Sequence, residues 1–236
     1  MNFGVLAGQK TAPRITRNTL CFRSSRMISE MSSAHLTDFT ATLKSSALED
    51  GLELDQRSLD GLSAYYQLLN TWNPRLHLVA PTSPAEFATR HVLESLTLLQ
   101  YLHEHARVAD VGSGGGLPML PCLIVREDIR ATLIESSKKK AIFLREVLTE
   151  TQTTDRATVI NDRFENVATP AVGYVTCRAI ERFEQLVPQL IAWSPAGAKL
   201  LLFGGESLKT RLEDTGLTME TKLLPNSQKR FLFVVR

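Results

Sequence analysis

Three glycines in alternate positions follow an acid in the string Asp110-Val111-Gly112-Ser113-Gly114-Gly115-Gly116. Glycine reaches positive φ at little steric cost and puts no Cβ beside a ligand, so the string reads as a tight turn from a strand into a helix. The N–H groups of such a turn, with the helix N-terminus behind it, favour polar or anionic ligand groups. Pro118 fits the helix start, where its missing N–H would have no intrahelical acceptor. The chemistry of such a loop is holding a ligand.

The spacing selects among ligands. A dinucleotide fingerprint, G-x-G-x-x-G/A, would put its third small residue at position 117, which is Leu117. Here the pattern is D-x-G-x-G-x-G, with the acid ahead of the loop. A second strand reads to Ile134 and is followed by Glu135, whose carboxylate is placed to accept from two ribose hydroxyls. Loop and acid together point to S-adenosylmethionine. They argue against a nicotinamide-dependent oxidoreductase and against a glycine turn that binds nothing.

The elements that must position this loop alternate along the chain. Leu36, Phe39, Leu43 and Leu48 mark a first helix ending near Gly51. Leu59, Leu62, Tyr65, Tyr66 and Leu69 mark a second, with Asp55 as its N-cap. Asn73-Pro74 is expected to stop that helix, because the residue before proline avoids the α region. Ser83-Pro84-Ala85-Glu86 has a capping-box pattern and opens a third helix through Phe87, His91, Leu96 and Leu99 to about Leu102. From Arg107 the rhythm becomes strand and helix in turn. Strands are predicted at 108–111, 129–134, 157–160, 174–177 and 199–203, with a helix from Ser137 to about Thr151. Two late apolar runs, 218–224 and 231–235, form an antiparallel closing pair. The fold class is therefore α/β: a Rossmann-like class I methyltransferase sheet, mostly parallel, behind an N-terminal helical cap. Residues 1–30 read as a basic tail, 31–103 as the cap and 104–236 as the cofactor-binding domain.

Composition bounds the rest. The 236 residues are 43% hydrophobic and 22% charged, ordinary for a globular enzyme. The net charge of +2 is misleading, since five of the 27 basic residues and one of the 25 acids lie in the first thirty positions. Removing them leaves 22 bases against 24 acids. A broadly basic surface is therefore not what would hold a nucleic acid; local clusters must do so. The opening segment reads as a disordered tail or an over-extended start, with a transit peptide as the alternative. Cys21, Cys122 and Cys177 form no paired spacing, which argues against disulfides and zinc. No apolar run spans a bilayer. Neither metal nor membrane is expected, and a monomer in the cytoplasm is.

Beyond the loop, Trp72-Asn73, Arg90-His91-Val92-Leu93-Glu94-Ser95, Gly116-Leu117-Pro118 with Pro121, Phe143-Leu144-Arg145 and Cys177-Arg178-Ala179 narrow the reading. Over about 59–236 the chain resembles the bacterial 16S rRNA guanine-N7 methyltransferases, small-subunit methyltransferase G (glucose-inhibited division protein B). The resemblance implies S-adenosylmethionine-dependent methylation of guanine N7 in the 530 loop of 16S rRNA. The RNA, or a small-subunit assembly intermediate, would be the partner. It implies that Gly112 and Leu117 contact the cofactor, that Phe164 and Glu165 flank its adenine, and that Arg178 lies near cofactor and target base. Gly114 and Glu135 complete the expected cofactor set. Three departures stand out. Glu135 replaces the more usual aspartate, Cys177 replaces a serine, and Gly204 stands where the family commonly has lysine. Lys199 or Lys209 could supply the missing charge. Alternatives are a methyltransferase acting on another RNA or a small molecule, and a non-catalytic, cofactor-binding RNA-assembly factor.

Guanine N7 already exposes a lone pair, so its methylation needs positioning and no general base. Arg163 and Arg178 could orient the base through O6, in RNA that is unpaired or splayed. An ion-pair role is equally open for Arg163. Ser136-Ser137-Lys138-Lys139-Lys140 opens a helix where positive charge opposes the macrodipole. Lys139 and Lys140 are thus candidates for phosphate contact, a solvated charge run being the alternative. His91, with Glu94 and Ser95 on its helix face, reads as part of a structural polar cluster. Cys122 and Cys177 read as core packing.

Overall fold

The computed structural model describes residues 33–178 and 183–236. These fall in one compact unit, Met31–Arg236. The basic tail, Cys21 and Ala179 lie outside the described residues.

Two helices come first, α1 (Ser33–Glu49) and α2 (Gln56–Leu76). Along α1 the buried stripe is Phe39, Leu43 and Ala47, while Leu48 faces solvent. Asp55 caps α2, accepting from the Ser58 N–H at 2.8 Å, an interaction of about 1 kcal/mol. Contrary to expectation, α2 continues through Pro74. Asn73 stays helical because the proline falls in the last turn, where few intrahelical bonds remain to be lost. The helix stops at Leu76, and left-handed His77 donates its N–H to the Asn73 carbonyl.

The third helical stretch starts where the capping box placed it, with the Ser83 hydroxyl accepting from Glu86 N–H at 3.1 Å. It is not a single α-helix. After α3 (Pro84–Glu86) comes a π-helix (Phe87–Leu93), then α4 (Glu94–Leu96) and a 3₁₀ turn (Thr97–Gln100). The helical segments are joined by an aromatic cluster. Phe39 stacks on Tyr66 at 4.3 Å, and Phe87 lies 5.1 Å from the Tyr66 ring.

Seven strands follow: β1 (Arg107–Val111), β2 (Arg130–Ile134), β3 (Ala157–Ile160), β4 (Tyr174–Arg178), β5 (Lys199–Gly204), β6 (Met219–Leu223) and β7 (Phe231–Val235). Between them run α5 (Met119–Val125), α6 (Lys138–Glu150), α7 (Phe183–Trp193) and α8 (Glu206–Glu213). The sheet order is β3-β2-β1-β4-β5-β7-β6. β1 to β5 pair in parallel, and β7 runs antiparallel to both β5 and β6. The central strands are apolar on both faces, as a parallel sheet covered by helices requires. Chain direction across the sheet reverses between β1 and β4. Ligands of open α/β sheets bind outside the strand carboxyl ends at that switch point.

Two contacts fit the helical segments to the glycine loop. The buried Tyr65 hydroxyl donates to the Gly115 carbonyl at 2.7 Å. The Asn73 side chain accepts from Val79 N–H and donates to Val79 O, both at 3.0 Å, fixing the strap 78–80 opposite the loop. Tyr65→Phe leaves the buried Gly115 carbonyl unpaired and should cost about 1–3 kcal/mol. Urea denaturation should show a lower midpoint at unchanged slope.

Candidate active site

The glycine loop leaves β1 with Gly112, Gly114 and Gly116 all at positive φ, 71°, 50° and 86°. Gly116 is also forced by packing: a Cβ there would stand 2.0 Å from Leu120 Cδ1. Gly112 and Ser113 both donate to the Ile134 carbonyl, tying the loop to the end of β2. Glu135 adds a second tie. One carboxylate oxygen accepts from Gly114 N–H at 2.8 Å and the other from Ser137 N–H at 2.7 Å. It thus braces the loop and also caps α6, whose Ser137 offers no side-chain cap. Each oxygen keeps a second lone pair, which is what a ribose hydroxyl would use.

Two cavities open at the carboxyl ends of the strands and share Gly112 and Ser136. The first, about 570 Å³, is lined by Arg163, Phe164, Glu165, Gln185 and Gln189 among others. Phe164 is buried edge-on against Trp193 at 5.8 Å. Asp162 fixes the turn, accepting from Arg163 N–H at 2.7 Å. The second cavity, about 460 Å³, is lined by Gly114, Leu117, Glu135, Lys140, Arg178 and His91, with the strap 78–80. Nine of the ten residues singled out in the sequence thus line one cavity or the other. Lys139 lines neither and is exposed. Arg163 is largely exposed and lies 3.8 Å from Glu165.

Arg178 is held differently from the expectation of a base-reading arginine. Its Nη2 donates to the wholly buried Glu94 at 3.0 Å and to the Arg90 carbonyl at 3.1 Å, and Nη1 reaches the Ser95 hydroxyl at 3.4 Å. The guanidinium sits 5.5 Å over the Phe203 ring. Of its five N–H donors, Nε–H and one Nη1–H remain for a ligand. The other Glu94 oxygen accepts from Arg230 Nε at 3.0 Å. Arg230, on the turn before β7, had no signal in the sequence, because 136 positions separate it from its partner. Burial lowers the Arg178 pKa, and Glu94 opposes that shift.

The expected His91 cluster is corrected. Glu94 and Ser95 serve Arg178, and only the His91 carbonyl meets Ser95, at 2.6 Å. Both ring nitrogens are buried with no partner. Burial, then Arg178, Arg90 and Arg230, pull the imidazole pKa down to about 4, so the ring is neutral.

Gly204 has a packing reason. A Cβ there would overlap the Leu208 side chain, standing 2.9 Å from its Cβ, so Leu208 would have to shift. Neither proposed substitute fits. Lys199 begins β5 at the end of the strand opposite Gly204. Lys209 pairs with Glu206 at 3.1 Å and Glu213 at 4.0 Å. The turn carrying Lys229 and Arg230 runs beside Gly205 instead.

Cys122 and Cys177 are buried and form no disulfide, as core packing requires. Among the described residues no group of three His, Cys, Asp or Glu is arranged to hold a metal ion. Nor is any helix there long and apolar enough to cross a membrane.

The residues present fit S-adenosylmethionine. Beneath the loop, both Asp110 carboxylate oxygens are buried without a partner. Burial raises this carboxyl to about 7. Asp110 lines neither cavity; at the ligand, Glu135 beside the loop keeps lone pairs for ribose hydroxyls. Phe164 and the Arg163–Glu165 turn offer an edge for a purine at the other end.

Fold and site together define a class I, S-adenosylmethionine-dependent methyltransferase. Solved structures agree on the fold. An S-adenosylmethionine-dependent methyltransferase from Aquifex aeolicus superposes with a TM-score of 0.50 at 17% identity, covering 65% of this chain and 93% of that one. The mitomycin 7-O-methyltransferase MmcR gives 0.53 at 16%, covering 73% and 60%. Sequence comparison goes further. The rRNA small subunit methyltransferase G (GidB) family matches residues 58–231. Proteins named ribosomal RNA small subunit methyltransferase G from Sorangium cellulosum and Xanthomonas axonopodis pv. citri are 39% and 38% identical. The first alignment covers 65% of this chain and 67% of the relative, the second 70% and 75%. The chain belongs to the rRNA small subunit methyltransferase G family.

Two predictions test the site. The Asp110 carboxyl ionises near 3.8 when unfolded and near 7 when folded. The stability it contributes is therefore full below about pH 4 and lost as pH rises to about 7. Urea midpoints of wild type and Asp110→Asn, compared at pH 5 and pH 8, should diverge in that direction; a constant difference would mean the acid does not titrate. Arg178→Ala breaks a buried pair and should cost about 3–5 kcal/mol, seen as a lower melting temperature alongside lost methylation.

Proposed function

We propose that this methyltransferase modifies N7 of a guanine in the 530 loop of 16S rRNA, within the RNA or a small-subunit assembly intermediate in the cytoplasm. The observation that carries the reading is the set of titratable groups lining the second cavity: His91, Glu135, Lys140 and Arg178. Glu135 has both oxygens engaged by backbone N–H groups. His91 is a weak base, with its pKa near 4. Lysine and arginine bring positive charge. Such a lining suits a nucleophile that already carries a free lone pair, as a purine N7 does, better than one that must first lose a proton.

When bound, S-adenosylmethionine supplies a sulfonium methyl whose C–S bond breaks toward sulfur as the nitrogen lone pair forms the new C–N bond. The chain's own residues do the positioning. Gly112, Gly114 and Leu117 shape the backbone wall against the ligand, and Glu135 holds that wall while offering lone pairs to a ribose. Phe164 and Glu165 flank the adenine. Arg178, immobilised by Glu94, presents its two remaining donors from a fixed place, which favours in-line geometry. On the RNA side, Lys140 lines the second cavity, Arg163 lines the first, and exposed Lys139 precedes Lys140, where phosphates would pass.

The test is nucleoside mass spectrometry of 16S rRNA from cells lacking the gene. Loss of 7-methylguanosine from the 530 loop is expected, and its retention would refute the assignment. Replacing Lys139 and Lys140 by alanine together should weaken RNA binding about tenfold and flatten the log–log salt dependence by about 1.5. Filter binding at several salt concentrations, with cofactor affinity unchanged, checks this.

A further inference from the structure

Among the described residues that line the two cavities, His91 is the one whose buried side-chain polar atoms find no partner. The residue lines the second cavity with Arg178 and Leu117. Yet both ring nitrogens are buried and unpartnered. An imidazole needs two hydrogen-bond partners, and a buried polar atom without one costs about 1–3 kcal/mol. The fold maintains this arrangement deliberately. His91 sits in the π-helix Phe87–Leu93, a rare widened turn found frequently at functional sites. That turn lends the Arg90 carbonyl to Arg178 and the His91 carbonyl to Ser95. The backbone on either side of the ring is thus clamped, while the ring itself lies 5.1 Å from that of Phe87. A half-turn about Cβ–Cγ exchanges each ring nitrogen with a ring carbon, with no backbone movement.

We propose that His91 contacts the target base: its imidazole turns into the second cavity and accepts the N1–H of the guanine while N7 is methylated. The proposal rests on the guanine-N7 reading. Methyl transfer puts a positive charge on the purine, and N1–H becomes a stronger donor as that charge develops. A hydrogen bond accepted at N1–H is therefore stronger in the transition state than in the bound substrate, which raises turnover more than it tightens binding. The acceptor must be uncharged and must stay so beside a positive base. His91 meets that condition: Arg90 on its own helix, Arg178 on β4 and Arg230 before β7 outnumber the two acids paired with them, Glu86 and Glu94. Burial first, and then those arginines, keep a proton off the ring. A carboxylate in the same position would pair with them and be lost to the base.

The experiment uses full-length enzyme, tritiated S-adenosylmethionine and small ribosomal subunits from cells lacking the gene. Mapping the wild-type product to N7 tests the underlying reading separately. His91→Phe keeps the packing against Phe87 and removes the acceptor. It should lower kcat about 30-fold, the size of one hydrogen bond to a developing charge. KM for the subunits and the calorimetric Kd for the cofactor should stay within about twofold. His91→Gln, whose amide oxygen can accept, should recover most of kcat, and His91→Leu should not; that pair decides the matter if the phenylalanine variant does not fold. Wild-type kcat in the phenylalanine or leucine variant would overturn the proposal. So would equal defects in the glutamine and leucine variants, or a loss confined to cofactor affinity.

Discussion

A carboxylate with no exposure to solvent, Glu94, lies between two guanidiniums from distant parts of the chain. A buried charge is tolerated only when paired and fully hydrogen-bonded. Satisfying that demand fixes three things at once. It sets the π-helix and α4 against β4, it brings the turn before β7 to the site, and it immobilises Arg178 at the sheet's switch point. The triad retains one excess positive charge. Arg178 is thereby a rigid fixture of the cavity wall, with two N–H groups left for a ligand.

The glycine loop obeys a parallel logic. Its conformation is bought with three positive-φ residues, yet glycine alone would leave it floppy. The Ile134 carbonyl and both oxygens of Glu135 hold it from the β2 side, and Tyr65 holds it from the helical side. The helical segments therefore do more than cover the sheet. They complete the cofactor wall, and Asn73 shapes the strap that faces it.

Much of this was legible in the residues. The loop, the acid after β2, the strand positions and the closing antiparallel pair all follow from local chemistry: glycine spacing, apolar runs, and caps such as Asp55 and Ser83. What was not legible depended on distance or on small energy differences. Arg230 and Glu94 are far apart in sequence, so no window contains both. The π-helix carries the same apolar residues as an α-helix and differs only in how carbonyls are shared. Pro74 signals a stop, but a helix with one turn left loses little by running past it. Lys199 and Lys209 looked available for RNA until strand polarity and the acids of α8 were in view. Gly204, read as a missing lysine, turned out to be a packing requirement of Leu208.

The insertion of β7 between β5 and β6 has a consequence for how the protein is made. The strand that fills the interior of the sheet, and the arginine that finishes the Glu94 triad, are encoded after every other part of the site. During synthesis the loop, Glu135 and Arg178 can all be present while one Glu94 oxygen still lacks its partner, since the closing contact spans 136 positions. Such long-range closure is slow relative to local helix and turn formation. The residues of the cofactor wall are thus encoded early, and the Glu94 pairing is completed only by the last part of the chain.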